Sequence, residues 1–175
     1  MAARIDIHPV REPEFSAAGE ATARAYREFQ RPEWPGYTAY VARIADIAER
    51  AHIGTVLVAV VNGVVAGSIT LELTERIRPS STGPLAPDEA HLRMLGVSPE
   101  YRGLGIARRL VSACIEIARA AGKQRLTLNT APVMVAAQQL YTSMGFTPTP
   151  ERPMPDGSVL LGYALRIATE SPATR

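Results

Sequence analysis

Residues 97–110 read VSPEYRGLGIARRL. A strand-like run ends at Val97, an Arg and two glycines follow, and a helical pattern starts with no Ser, Thr, Asp or Asn in place to cap it. The first N–H groups of such a helix need an acceptor from elsewhere. With the positive end of the helix dipole behind them they form an anion site, whose natural occupant is a phosphate or pyrophosphate. Gly103 and Gly105 let the main chain approach a ligand closely, and Arg102, Arg108 and Arg109 add positive charge.

Working outward, Ile106, Leu110, Cys114, Ile117 and Ala121 form one helical stripe that stops before Gly122. Upstream lies a strand, EAHLRMLGV, Glu89 to Val97. Its apolar phase slips: Leu92 and Met94 share one face, Leu95 and Val97 the other. Such a slip predicts a β-bulge, a device often found beside active sites. Further upstream, GTVLVAVVNGVVAGSITLEL places two β-branched runs around Asn62-Gly63, the signature of a tight hairpin. A Pro/Ser/Gly-rich loop, RPSSTGPLAPD, follows it. The N-terminal part predicts a strand over Arg4 to Val10 and a helix from about Glu14 to Gln30. A break at RPEWPGY precedes a second helix, N-capped by Thr38, with apolar positions Val41, Ile44, Ile47, Ala48 and Ala51. Downstream come a strand, RLTLNT, and a helix starting near Pro132 that carries Val133, Ala137, Leu140, Tyr141 and Met144 and is stopped by Gly145. Strands around Phe146 to Thr149 and Val159 to Ile167 close the chain, with PERPMPDGS as the loop between them. The order β-α-α-β-β-β-α-β-α-β-β predicts an α/β (α+β) fold with a mixed sheet flanked by helices.

The length of 175 residues fits one domain, read as 1–170, with 171–175 as a frayed tail. A 46% hydrophobic and 21% charged composition is that of a folded globular chain rather than a disordered one. The net charge of +2, without a basic run, argues against nucleic acid as a partner. No stretch is apolar for long enough to span a bilayer and the N-terminus lacks a signal-peptide pattern, so a cytoplasmic location without membrane contact is expected. The lone Cys114 falls on the helical stripe and reads as a buried small hydrophobe, not a nucleophile. His8 and His52 have no cluster of potential ligands around them, so no metal is expected.

Three phosphate loops compete for the 97–110 stretch. A Walker loop needs Gly-Lys-Ser/Thr, which is missing. The dinucleotide fingerprint G-x-G-x-x-G has Arg108 where its third small residue belongs, and lies far from the first strand. The pattern Arg/Gln-x-x-Gly-x-Gly/Ala is matched by Arg102, Gly105 and Ala107. On these residues, together with QQLYTSMGF further on, the sequence resembles the GNAT superfamily of acetyl-CoA-dependent N-acetyltransferases, most strongly from Glu89 to Phe146. The resemblance implies a central mixed, mostly antiparallel sheet of about seven strands with about four helices. It implies acetyl-CoA as co-substrate and direct acetyl transfer to an amine, small-molecule or peptide, within a ternary complex; a homodimer is in keeping with it. By position, the amides of Leu104, Gly105, Ile106, Ala107 and Arg108, with Arg102 and Gly103, would hold the pyrophosphate. The backbone of Leu95 and Val97 would pair with pantetheine.

Acetyl transfer also needs proton handling. An alkyl amine of pKa about 10.4 is neutral only about once in a thousand molecules at pH 7, so a base is required. Many members of the superfamily carry Glu six residues before the Val that ends the strand; here that position is His91, whose imidazole titrates near neutrality. Glu89 points to the same face, able to orient His91 or to act as base itself. Tyr141 of the LY-x-x-x-GF signature is implied as the acid that reprotonates coenzyme A; packing on the helix's apolar side is the other reading. Where relatives often place a cofactor-contacting Asn, this chain has Met134, and Asn129 is the candidate to replace that contact. Trp34, Tyr37 and Tyr40 line the acceptor site or pack in the core, and PERPMPDGS is a second candidate wall. A non-catalytic domain that senses acyl-CoA is the alternative function.

Overall fold

The computed structural model describes residues 3–31, 33–74 and 85–167. Most of the 78–88 loop and the whole 171–175 tail lie outside them. Seven strands form one mixed sheet in the order β1-β2-β3-β4-β5-β7-β6. The chain gathers into two compact units, Met1–Glu72 with Leu92–Ala113, and Leu73–His91 with Cys114–Arg175.

In the first unit, β1 (Ile5–Pro9), β2 (Thr55–Val61) and β3 (Val64–Glu72) pair antiparallel in sequence order. Asn62 and Gly63 both adopt left-handed φ, 48° and 87°, which a two-residue turn matched to the strand twist requires. Helix α1 (Phe15–Arg27) packs on β3, and α2 (Tyr37–Ala45) packs on α1. That approach is close. A Cβ at Gly19 of α1 would run into the carbonyl oxygen of Ala45. Ala18, Ile47, Val56 and Val58 form a buried cluster, with Val10, Phe15, Val60 and Val65 against it.

Two expectations for this region are corrected. The second helix is two helices, α2 and α3 (Ile47–Ile53), so the described residues hold five α-helices where about four are expected. Asp46 leaves helical geometry (φ −77°, ψ 84°), and its Oδ1 accepts from Glu49 N at 2.9 Å, so it caps a new helix inside an unbroken apolar period. Thr38 is not the cap of α2; Gly36 occupies that position, while the Thr38 hydroxyl accepts from Gln30 Nε2 at 3.0 Å.

β4 (Glu89–Val97) contributes its first three residues to the second unit and the rest to the first. Helix α4 (Ile106–Ala120) buries Ile106, Leu110, Val111, Cys114 and Ala118, a stripe that takes in Val111 and Ala118 rather than Ile117 and Ala121. Its end is closed by Gly122 (φ 73°), with Gly122 N donating to Arg119 O and Lys123 N to Ala118 O. Burial pushes the Cys114 thiol up to about 12. Thiolate is the reactive form, so Cys114 is expected to resist iodoacetamide at pH 8 in the folded protein and to be alkylated rapidly in denaturant, as read by mass spectrometry.

In the second unit, β5 (Arg125–Thr130) and β6 (Thr147–Pro153) both pair antiparallel with β7 (Val159–Arg166). Helix α5 (Val135–Ser143) starts later than the apolar pattern implies, leaving Pro132 and Val133 in the turn before it. β6 runs beyond Thr149 to Pro153, so half of the expected loop is strand; the remaining loop is 154–158. A register shift between Thr149 and Arg152 absorbs Pro150, and β6 ends the sheet order, where prolines cost no ladder bond.

Candidate functional site

The stretch 97–110 forms a buried anchor, a turn and a helix start. Ser98 N donates to Ala66 O at 2.8 Å and its hydroxyl to Ala21 O at 3.3 Å. A short 3-10 turn over Pro99–Tyr101 then leads to Gly103 (φ 78°) and Gly105 (φ 73°), both left-handed, with open space where a Cβ would stand. Arg109 N makes the first helical bond, to Gly105 O at 3.1 Å. Among the described residues, the N–H groups of Leu104, Gly105, Ile106 and Ala107 donate to no protein acceptor. These are the orphan donors of an uncapped helix.

Arg102 behaves differently from the expectation. Its Nη1 lies 2.7 Å from Glu28 Oε2, and Arg24 Nη1 lies 2.7 Å from Glu100 Oε1. Both pairs tie the glycine turn to the end of α1. The Arg102 guanidinium is therefore engaged with a carboxylate through Nη1.

The phase slip in β4 falls on Met94, which takes φ 53°, a left-handed value costly for a large side chain. Leu95 and Val97, beyond this kink, are half-buried. Arg50, 1% exposed, holds the kink from behind: its Nη2 reaches Met94 O at 3.3 Å and Ser68 Oγ at 2.9 Å, Nε reaches Thr70 Oγ1 at 2.9 Å, and Nη1 reaches Ile44 O at 2.9 Å. Burial pulls its guanidinium down to about 10, still protonated at neutral pH. Nothing in its sequence context, the last turn of a short helix, sets it apart from a solvent-facing cation. Beside it is an aromatic run, Tyr26, Tyr40, Tyr37 and Trp34, with successive ring centroids 5.8–6.1 Å apart. Trp34 is 39% exposed, while the Tyr37 hydroxyl donates to Tyr26 O at 2.8 Å. This run is thus core at one end and surface at the other.

The second unit holds a cavity of about 210 Å³ lined by Glu89, His91, Thr127, Asn129, Arg152 and Tyr163 among others. Glu89 and His91 alternate along β4 onto one face, as expected, and both meet Thr127 of β5. Thr127 Oγ1 donates to Glu89 Oε1 at 2.5 Å, and His91 Nδ1 lies 2.8 Å from the same oxygen. His91 is buried, at 5% exposure. Nothing local in the sequence marks Thr127, a Thr in a strand; its surroundings depend on which β4 residues stand beside it. Asn129 lines the same cavity. Gly162 lies between Asn129 and Thr149, where a Cβ would collide with Thr149 Oγ1. Pro150 and Arg152, from the segment expected as an acceptor wall, also line it.

Tyr141 is buried, its ring against Phe146 (5.7 Å between centroids) and Tyr163 (6.1 Å). It packs, and its hydroxyl makes no hydrogen bond among the described residues. A buried phenol normally finds a partner, so this hydroxyl is open to a ligand. Burial pushes its pKa up, which keeps it protonated across the physiological range. Among the described residues, no group of three or more His, Cys, Asp or Glu is placed to hold a metal ion, and no helix is long and apolar enough to cross a membrane.

This arrangement, an uncapped glycine-opened helix start following a kinked strand, belongs to a defined class. The sequence profile of the Acetyltransferase (GNAT) family matches residues 19–146, more than half of the chain and parts of both units, and the chain belongs to that family. It is 35% identical over 94 residues to N-acetyltransferase 8 of Mus musculus, covering 54% of this chain and 39% of that protein. It is 40% identical over 75 residues to the [ribosomal protein bS18]-alanine N-acetyltransferase of Haemophilus ducreyi, covering 41% and 52%. The chain thus spans about half or less of the length of these curated relatives. Two solved structures share the fold: the ribosomal-protein-S18-alanine N-acetyltransferase of Escherichia coli (TM-score 0.69, 22% identity, 98% and 99% of the chains covered) and a putative acetyltransferase from Salmonella typhimurium with its cofactor acetyl-CoA (TM-score 0.67, 21% identity, 97% and 98% covered).

Proposed function

We propose that this chain transfers the acetyl group of acetyl-CoA to an amine by direct attack within a ternary complex. The observation that carries the reading is the row of unbonded N–H groups from Leu104 to Ala107 at the head of α4, shaped by the left-handed Gly103 and Gly105. These amides, with that of Arg108, grip the coenzyme pyrophosphate. Leu95 and Val97 pair with pantetheine, and the kink at Met94 frees their main chain to do so. The cavity around Glu89, His91 and Asn129 receives the acceptor amine and its surplus proton. Tyr141 supplies a hydrogen bond, and finally a proton, to the departing thiolate. Residues 1–170 act as one catalytic domain on this reading, with a small-molecule or peptide amine as acceptor; a homodimer is supported by the family resemblance alone, and a cytoplasmic location by the sequence pattern alone.

The test is release of free coenzyme A thiol from acetyl-CoA across a panel of amino acids, polyamines, aminoglycosides and peptide N-termini. Turnover with one acceptor class supports the reading. Tight coenzyme A binding without turnover on any of them would instead identify an acyl-CoA sensor. Tyr141→Phe is expected to lower kcat by about 10²-fold, the usual worth of a positioned acid, while the Kd for coenzyme A stays unchanged. Steady-state kinetics with calorimetry checks both halves; an unaltered kcat would return Tyr141 to a packing role.

A further inference from the structure

We infer that Arg152 determines the specificity of the acceptor cavity, and that the acceptor is a free amino acid whose carboxylate Arg152 holds. The chemistry at the amine nitrogen rests on the acetyl-transfer reading; recognition of the carboxylate does not.

Among the described residues, the arginines shielded from solvent are Arg50, Arg93, Arg119 and Arg152. Arg50 is held by its four acceptors, Arg93 by Glu72 at 2.9 Å and Arg119 by Glu116 at 2.5 Å. The Arg152 side chain has no hydrogen bond or ion pair among the described residues. A charge drawn partly out of water without a partner is costly, so a half-buried guanidinium in a cavity wall calls for an anion from outside the protein.

An irregularity in β6 brings Arg152 to that wall. Thr149 stands opposite Gly162 of β7 and Arg152 opposite Leu160, so β6 spends one residue more than β7 over this interval. A regular strand sets residues three apart on opposite faces; the extra residue returns Arg152 to the face of Thr149. On that face Asn129, Gly162 and Thr149 lie abreast across β5, β7 and β6. The Asn129 and Thr149 side chains reach over Gly162, whose missing Cβ leaves them room, and neither has a protein partner among the described residues. An amide and a hydroxyl thus add donors beside the guanidinium. Its planar fork suits a carboxylate, which accepts two parallel N–H bonds.

The same cavity holds the opposite charge. Glu89 shares Oε1 with the Thr127 hydroxyl and is in no ion pair among the described residues. A carboxylate and a guanidinium therefore line one cavity without neutralising each other. The complement of that pair is a molecule carrying an ammonium group and a carboxylate together. A volume of about 210 Å³ equals roughly seven water molecules at about 30 Å³ each, which is the room a small amino acid needs. The carboxylate positions the amine and makes or breaks no bond in the transfer.

The probes are alanine, serine and leucine, each set against its own carboxamide and against a tripeptide amide beginning with the same residue. The carboxamide is the more easily deprotonated amine, so intrinsic reactivity favours it and any preference for the acid comes from the protein. The expected kcat/KM for the acid exceeds that for the carboxamide by about 10–10²-fold, the worth of hydrogen bonds to a charged group, with the difference in KM. Arg152→Gln should abolish this preference by raising the KM of the acid, and Arg152→Lys should keep part of it; a thermal melt checks that both variants fold. Wild-type protein that uses the carboxamide or the tripeptide amide as well as the acid would overturn the inference while acetyl transfer stands, and so would a preference that survives Arg152→Gln. Calorimetric titration of the same amino acids into protein saturated with coenzyme A reads recognition without turnover. Binding that weakens in Arg152→Gln, in a protein that acetylates no amine, leaves the recognition standing and removes the acetyl-transfer reading. Absence of amino-acid binding to the wild type overturns the inference.

Discussion

Gly105→Val is expected to weaken coenzyme A binding by about 10²-fold or more and to leave the fold intact. At φ 73° the wild-type residue occupies a conformation that costs an ordinary side chain roughly 1–2 kcal/mol. A β-branched residue escapes that cost by turning the peptide units on either side, which carry the amides of Gly105 and Ile106. Each hydrogen bond to a charged oxygen is worth about 1.5–3 kcal/mol, so misdirecting two of them removes about 3–6 kcal/mol, or about 10²–10⁴ in Kd. A Cβ here meets nothing within 4 Å, so the substitution creates no clash in the unliganded protein. Titration calorimetry with coenzyme A, paired with a thermal melt, separates the two effects. Unchanged affinity in a folded variant would remove this turn from the site.

Arg50→Ala should be the most destabilising of the changes considered, by about 3–5 kcal/mol, from a void at a fully buried site and stranded acceptors. Ser68 Oγ, Thr70 Oγ1, Ile44 O and Met94 O all lose their donor together. At 2–4 °C per kcal/mol for a chain of this size, Tm should drop by roughly 10 °C. Arg50→Met tells volume from bonding. It refills the stem and removes the desolvated charge, so it should be the more stable of the two variants. It cannot reach Met94 O, so the kink loses its tie and coenzyme A affinity should fall even where Tm recovers. Denaturant melts of both variants check the order; a loss under about 1 kcal/mol for Arg50→Ala would mean the network contributes little.

These two residues mark the extremes of what the sequence disclosed. Gly105 was legible because its effect is local: glycine, missing cap and helical stripe all lie within a few positions. The Asn62-Gly63 turn and the slip at Met94 were legible for the same reason, as each is a property of adjacent residues. Arg50 and Thr127 were not, because most of their bonding comes from partners 18 or more residues away in the chain. The break at Asp46 was hidden by an apolar period that continues through it; only the side-chain bond to Glu49 N reveals a second helix start. The extension of β6 was hidden by its prolines, which argue for a loop in any strand except one at a sheet edge. The ion pair of Arg102 with Glu28 was not legible either, since Glu28 is distant in sequence.

The pairing of Arg102 with Glu28 and of Arg24 with Glu100 has a corollary for the medium in which the protein works. Both pairs are largely exposed, so dissolved ions weaken them, and the screening length contracts to about 3 Å at molar ionic strength. The two bonds of Ser98 are buried and feel little of this. Concentrated electrolyte would therefore slacken the outer rim of the turn while its inner pivot stays seated, making saltiness a reversible control over the cradle that needs no mutation.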